Sequence, residues 1–236
     1  MLLSELFKQL SHGELSRLSV GASGTGEIQE EHYEALLSHI NLGLTELYKR
    51  FPLRMQEVVI QQYDHIQTYK LSTDYAQTNT ASTQPTKYIE DSVYEPFTGN
   101  VLRIEKVIDE DGQTLFLNDD TQYWSVHTPS YDTVQVPLPE AENQMIVTYR
   151  ADHDIISMGD NTPAEIDVPI PLSHLEALLH YVAYRAYTNV PAFEGGGSDS
   201  NNYLAKFEAS CSRITNLNLI NNDTPTNLKL HDRGWV

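Results

Sequence analysis

The tightest cluster of residue types that could do acid–base chemistry is Asp152-His153-Asp154. A histidine held between carboxylates can act as a general base that activates a serine or cysteine nucleophile. The sequence contains no G-x-S-x-G elbow, H-E-x-x-H zinc motif, kinase signature or dinucleotide fingerprint that would complete such a site. We therefore predict that the chain is not an enzyme and that His153 has no catalytic role. A small hydrolase using His153 is the least favoured alternative.

Three other stretches match ligand sites only in part. Residues 21–26 are glycine-rich but lack the lysine and the Ser/Thr that end a P-loop, which favours a plain connector. His32 and His39 lie seven residues apart without a third ligand nearby, which favours paired surface histidines over a metal site. Residues 109–112 resemble the start of a calcium loop, but the later ligands and the final glutamate are missing. We predict no metal and no cofactor.

Charge argues against a nucleic-acid-binding protein. The 236 residues include 15 Lys and Arg against 33 Asp and Glu, a net charge of −18. Residues 88–160 hold fifteen acidic residues against three basic ones, which accounts for −12 of that charge. Binding to a phosphate backbone requires Lys and Arg that displace counterions. Two interpretations stay open: an ordinary well-solvated surface, or a surface that must not adhere to a polyanion passing close by.

Cysteine usage and the absence of long apolar runs narrow the class further. The single cysteine, Cys211, excludes a disulfide framework and is predicted to be a small buried hydrophobe. The first residues lack the basic region and apolar run of a signal peptide, and no window has the apolar length of a membrane span. We expect a protein made in a reducing aqueous compartment and not associated with a membrane.

Apolar periodicity predicts three long helices, over residues 30–50, 173–189 and 199–219. Ser173 and Glu176 have the spacing of a capping box at the start of the second, and Ser198 to Ser200 could cap the third. A short glycine linker between the last two predicts that they pack antiparallel. The predicted bundle core is Leu36, Leu37, Ile40, Leu44, Leu47, Leu175, Leu178, Leu179, Val182, Phe207, Cys211 and Ile214.

The middle of the chain is predicted to be β-rich. Residues 102–108 and 114–117 flank an acidic turn ending in glycine, which indicates a hairpin. Three further short strands are predicted at 123–127, 133–136 and 145–150, with breaks at Pro129, Pro137 and Pro139. Residues 72–86 have almost no apolar content and are predicted to be a long exposed loop.

Together these elements predict an α+β fold: an antiparallel helical bundle with an inserted small antiparallel β domain and an extended C-terminal arm. The expected boundaries are 1–54, 55–168, 169–220 and 221–236. The arm carries leucines at alternate positions and an aromatic residue, which is typical of a segment that docks on a partner. Folding back on its own domain is the alternative. The predicted contact residues are Leu228, Leu230, Arg233, Trp235 and Val236.

Residues 178–187 (LLHYVAYRAY) and 203–208 (YLAKFE) resemble the C-terminal helix pair of the head-to-tail adaptor proteins of tailed bacteriophages, also called connector or head completion proteins. The helix at 30–50, the hairpin at 102–117 and the strand at 146–151 follow the same order as in that family. The residues before 28 and the acidity of the β segment have no counterpart in the resemblance.

The resemblance implies a virion structural protein at the head–tail connection, assembled in the host cytoplasm. Such adaptors form a homo-oligomeric ring, expected to be dodecameric, beneath the portal protein. The extended C-terminal segment enters the portal or an adjacent subunit, and the ring presents a platform to the tail nozzle or tail tube proteins. Genomic DNA passes through the channel during ejection without specific binding. An acidic lumen suits this role because like charges repel within a Debye length of about 8–10 Å.

One further alternative is a tail-associated module that binds a glycan or receptor. It is suggested by the β segment and by the aromatic residues Tyr123, Trp124 and Tyr131. A carbohydrate site stacks sugars on exposed aromatic rings, so exposure of Trp124 would support it.

Overall fold

The chain has a mixed α+β fold in a computed structural model that describes residues 1–18, 28–188 and 196–217. The described helices are α1 (Leu3–His12), α2 (Tyr33–Arg50), α3 (Leu172–Thr188) and α4 (Gly196–Asn216). The described strands are β1 (Met55–Gln61), β2 (Thr68–Lys70), β3 (Ile89–Glu90), β4 (Val101–Ile108), β5 (His127–Ser130), β6 (Thr133–Gln135) and β7 (Gln144–Ala151). None of the described helices has both the length and the apolar content needed to cross a membrane.

The chain divides into two compact units. We call Tyr48–His153 the β unit, and Met1–Leu47 with the described residues from Asp154 onward the helical unit. The sequence-based boundaries were 54/55 and 168/169. Residues 48–54 fall instead in the β unit, and residues 154–168 fall in the helical unit rather than in the β segment. The reason is backbone pairing: the Leu3 amide donates to the Ile166 carbonyl at 2.9 Å, and the Ser4 amide donates to the Pro163 carbonyl at 2.9 Å.

The core of the helical unit follows the helical periodicity of the sequence. Eleven of the twelve predicted core residues are buried, and Leu175 is only half-buried. The buried stripe of α3 runs instead through His174, Leu178 and Val182. Because each helical residue is rotated by about 100° from the one before it, Leu175 lies at the margin of that stripe.

Helices α3 and α4 pack against each other along their length. The rings of Tyr181 and Phe207 meet edge to face at 5.2 Å, and Phe207 is almost completely buried. At the end where α3 stops, the Ser200 and Thr188 hydroxyl oxygens lie 2.9 Å apart. Aromatic and polar contacts therefore both hold this helix pair together.

The predicted helix caps are wrong. Helix α3 begins at Leu172, so Ser173 lies inside its first turn, with its hydroxyl 2.9 Å from His174 Nδ1. The Glu176 carboxylate instead accepts a hydrogen bond from Arg213 of α4 at 2.7 Å. Helix α4 begins at Gly196, so Ser198 to Ser200 are helical rather than capping residues. Glu176 therefore pairs with the neighbouring helix rather than with the start of its own helix, because tertiary contacts override local preferences.

The β unit contains two antiparallel sheets, with strand orders β3-β1-β7-β4 and β2-β6-β5. Strand β4 buries every third residue (Val101, Ile104 and Val107) rather than every second. Its register against β7 shifts twice, between Val101 and Arg103 and between Ile104 and Lys106. Each shift is a bulge that adds one residue to the strand, which changes the period from two to three.

Two strand predictions are corrected. Residues 123–126 do not form a strand; β5 covers His127–Ser130 and includes Pro129. Proline is tolerated there because β5 is the edge of its sheet and its pairing with β6 is irregular. Residues 114–117 follow the expected hairpin turn but make only isolated bridges, at Thr114 and Leu117.

Candidate interaction site

His153 lies inside the β unit. Its side chain is 2% exposed, and its Nδ1 atom is 2.9 Å from a carboxylate oxygen of Asp152. The ring also contacts Tyr48, with centroids 5.6 Å apart. A general base must reach the proton that it removes, and a side chain enclosed in this way faces no substrate-accessible surface.

The partial metal motifs have other structural roles. No group of three or more His, Cys, Asp or Glu side chains arranged to hold a metal ion occurs within residues 1–18, 28–188 and 196–217. His32 and His39 do not share a helix, since His32 precedes α2 and pairs with Glu31 at 3.4 Å. Burial lowers the pKa of His39, and the neighbouring Arg185 lowers it further.

The Asp109 turn builds one wall of a surface groove in the β unit. The Gln113 amide donates to the Asp109 carboxylate at 2.7 Å, and the Gly112 amide donates to the Asp109 carbonyl at 3.1 Å. Gly112 has φ of +81°, a conformation that L-residues rarely adopt. The carboxylate of this stretch therefore organises a tight turn, as such residues do in hairpins.

A second loop displays two aromatic side chains. Its ends are joined where the Val126 amide donates to the Phe116 carbonyl and the Asn118 amide donates to the Val126 carbonyl, both at 2.9 Å. Inside it, the buried hydroxyl of Ser125 donates to the Phe116 carbonyl at 3.1 Å and accepts from the Asp119 amide at 2.9 Å. These hydrogen bonds close the loop, and Tyr123 and Trp124 are exposed on it.

The opposite wall is formed by residues 137–143. The Asn143 side-chain amide donates to the Glu140 carboxylate at 3.2 Å, and the Gln62 amide donates to the Asn143 carbonyl at 2.8 Å. The Gln67 side chain also donates to the Pro137 carbonyl at 3.4 Å. These bonds anchor the segment that carries Leu138 to the strand region around residue 62.

The groove between these walls has a volume of about 390 Å³. We call it the aromatic groove and define it by Phe116, Tyr123, Trp124 and Leu138, together with Asp109 and Glu140. Phe116, Tyr123 and Trp124 are 55%, 72% and 62% exposed. Tyr123 and Trp124 meet edge to face with centroids 5.1 Å apart. Apolar side chains concentrated in one concave surface typically mark a binding site.

The surroundings of the groove are strongly acidic. Residues 107–149 contain eight Asp or Glu and no Lys or Arg. Hydrogen bonds from Thr121 lower the pKa of Asp119 in the loop that displays the two aromatics. Near neutral pH the groove therefore combines aromatic faces with negative charge and no cation from its own segment.

The structure separates the residues that sequence reasoning had grouped. Tyr123 and Trp124 lie together in the aromatic groove, whereas Tyr131 lines a different groove with Arg103 and Asn118. Phe116 and Leu138 were not predicted as site residues. The sequence feature that could have indicated them is that each is an apolar residue beside turn residues in an acidic segment. The five predicted arm residues, Leu228, Leu230, Arg233, Trp235 and Val236, lie outside the described residues.

Comparison with known proteins adds no assignment to this geometry. No family model matches the chain, and no curated protein matches it significantly.

Proposed function

We propose that this chain is the subunit of an adaptor ring between the portal and the tail of a tailed bacteriophage. The observation that carries the proposal is the aromatic groove, a preorganised apolar surface on an acidic β unit. Aromatic residues are enriched at protein interfaces, and an exposed apolar groove suits a protein that assembles with other subunits. The acidity suits a ring through which DNA passes without being bound.

The helical unit supports the same role through its packing. We infer that α2, α3 and α4 form an antiparallel bundle into which the β unit is inserted. Gly43 of α2 approaches α3 so closely that an added Cβ would lie 2.7 Å from Leu178 Cδ1. Phe207 of α4 packs on Tyr181 of the same α3 helix. A bundle of this kind offers a rigid body to neighbouring subunits.

Mass measurement with and without portal rings tests the adaptor function. We expect the chain to bind isolated portal particles as a ring, with a stoichiometry matching that of the portal, by native mass spectrometry or sedimentation. Failure to associate with portals over a wide concentration range would refute the proposal.

The arm gives a sharper version of this experiment. Removing residues 228–236 should leave the circular dichroism spectrum and melting temperature unchanged and abolish portal association. Burial of one indole contributes about 2–3 kcal/mol, roughly a hundredfold in affinity for each subunit, and a ring multiplies the effect through avidity. Trp235→Ala should reproduce most of the loss. If the truncated chain still decorated portals, the arm would be dispensable for portal association, and if it unfolded, the segment would belong to the core.

A glycan-binding tail module is the second candidate, because Trp124 is exposed beside Tyr123 and near polar side chains such as Asn143. Aromatic platforms flanked by hydrogen-bonding groups are suited to stacking sugar rings. Calorimetric titration with a panel of oligosaccharides separates the candidates. Saturable binding that Trp124→Ala abolishes would favour the glycan module, and the adaptor proposal expects none.

A further inference from the structure

The aromatic groove has the chemistry of a receptor for a cationic, apolar segment. Its carboxylates, Asp109 and Glu140, have no Lys or Arg near them in residues 107–149. The faces of Trp124 and Tyr123 attract cations through the negative charge of their π systems. The same faces, with Phe116, offer apolar area to an aliphatic or aromatic side chain.

The chain itself contains a segment with the complementary composition. Residues 228–236 carry Lys229 and Arg233 against one acidic side chain, Asp232, in a chain whose net charge is −18. The cations alternate with Leu230 and Trp235, so an extended segment would present both apolar and positive groups. Complementary charge favours encounter of such a segment with an acidic surface, and the exposed aromatic faces of the groove add apolar contact area for Leu230 and Trp235.

Length and volume are compatible with this pairing. Residues 218–235, which follow the last described residue, could reach at most about 60 Å in full extension. This is about twice the diameter of a small domain, so the segment is long enough to reach an adjacent subunit. The groove volume of about 390 Å³ is at the low end of ligand pockets, which measure roughly 300–1,000 Å³. It therefore admits a few side chains of an extended segment rather than a folded domain.

We propose that residues 228–236 of a neighbouring copy bind in the aromatic groove, linking successive subunits head to tail. This rests on the proposed adaptor function, because it needs copies placed side by side. In this arrangement the apolar side chains of the segment meet the aromatic faces of the groove, and its cations meet the carboxylates of Asp109 and Glu140. A contact between two different patches of the same chain is heterologous, which is the kind that generates rings.

Disulfide trapping between full-length copies tests the contact directly. Each copy carries Cys211→Ser to remove its single native cysteine, which is buried. One copy then carries Leu138→Cys in the groove, and an isotopically labelled copy carries Val236→Cys beside the anchor tryptophan. After mixing and mild oxidation with oxidised glutathione, mass spectrometry measures the 138–236 link, which can form only between copies. Tyr94→Cys is the matched control, because Tyr94 is also exposed in the β unit but does not line the groove.

We expect the 138–236 link to exceed the 94–236 link at least tenfold and to weaken as salt is added. Adding Trp124→Ala to the groove copy should reduce the link about tenfold, while its circular dichroism spectrum stays unchanged. Equal yields at positions 138 and 94, or no effect of Trp124→Ala, would overturn the inference. So would a chain carrying both cysteines that closes on itself at every dilution, because the segment would then occupy its own groove.

The outcome is separable from that of the adaptor proposal. Portal association without the 138–236 link defeats only this inference. The link without portal association defeats only the adaptor function and leaves a head-to-tail assembly of another kind. Saturable binding of an oligosaccharide to the groove in a protein that forms no 138–236 link would assign the groove to a glycan and overturn the inference.

Discussion

Replacing Gly43 by alanine has two opposite effects on the free energy of unfolding, one from helix propensity and one from packing. Gly43 lies in the interior of α2, where glycine is about 1 kcal/mol less favourable than alanine. An added Cβ, however, would lie 2.7 Å from Leu178 Cδ1 and 2.9 Å from Tyr181 Cδ1 of α3. The sign of the change in the free energy of unfolding depends on which effect is larger.

The packing effect should exceed the helix-propensity effect. Carbon atoms pack best at about 3.5–4.0 Å, so the new methyl group overlaps its neighbours by roughly 1 Å. Leu178 is completely buried and cannot move aside without displacing other core residues. Overpacking of this kind costs about 1–3 kcal/mol. After subtracting the gain of about 1 kcal/mol in helix propensity, we expect a net destabilisation of up to about 2 kcal/mol.

Urea unfolding followed by far-ultraviolet circular dichroism measures the effect as a lower midpoint with an unchanged slope. Gly197→Ala is the matched control, because Gly197 lies in the first turn of α4 with no atom within 4 Å of an added Cβ. That control should leave stability unchanged or raise it by up to about 1 kcal/mol. Leu178→Val, which shortens the obstructing side chain, should make Gly43→Ala less harmful when the two are combined, with a coupling of about 1 kcal/mol.

The result that would refute this reasoning is a Gly43→Ala protein as stable as the Gly197→Ala protein. Helices α2 and α3 would then not approach each other at Gly43. Loss of stability without relief by Leu178→Val would place the clash elsewhere and contradict the assignment of Leu178 as the obstructing residue.

Four further predictions follow from burial. Phe207→Ala should destabilise the helical unit by about 3–5 kcal/mol, read as a lower urea midpoint; a shift below 1 kcal/mol would contradict its place in the core. Burial lowers the pKa of His39, His174 and His180 below 6.5, so the unfolded state binds more protons than the folded state. The contribution of these residues to stability should be full above about pH 6.5 and fall as the pH is lowered towards 5. A melting temperature that does not change over this pH range would contradict this. Burial raises the pKa of Tyr149 to about 12. Its contribution to the free energy of unfolding should therefore persist below about pH 10 and be lost as the pH rises through 12. The readout is tyrosinate absorbance, which should appear for Tyr149 at a higher pH than for an exposed tyrosine. His153→Gln should lower the stability of the β unit but remove no activity; any hydrolysis abolished by it would reinstate the catalytic alternative.

The helical elements follow largely from local sequence pattern. The stripe through Leu36, Ile40, Leu44 and Leu47 was predicted as core from its spacing, and all four residues are buried. This works because the 3.6-residue period of the backbone places such residues on one face whatever lies opposite. The ends of the helices are predicted less well from the sequence. Glu176, for example, accepts a hydrogen bond from Arg213 of another helix instead of forming the cap that its local spacing suggests.

The burial pattern and the bounds of the strands depend on which strands pair, and a local sequence pattern does not show that. The period of three in β4 arises from two register shifts against β7, a strand about forty residues later in the chain. Pro129 looks like a strand break from sequence, but it is accommodated because β5 lies at a sheet edge. Both outcomes depend on which strand lies alongside, and only the folded chain determines that.

The sequence alone determined the composition of the candidate site: acidic residues, aromatic residues and no cations in residues 107–149. Only the tertiary structure brought Phe116, Trp124 and Leu138 to one groove and sent Tyr131 to another. Residue types persist in any conformation, and so does the net charge that follows from them. Whether an aromatic ring is buried or left facing solvent depends on the distant segments that fold around it, and here Ser125 is buried while its neighbour Trp124 points outward.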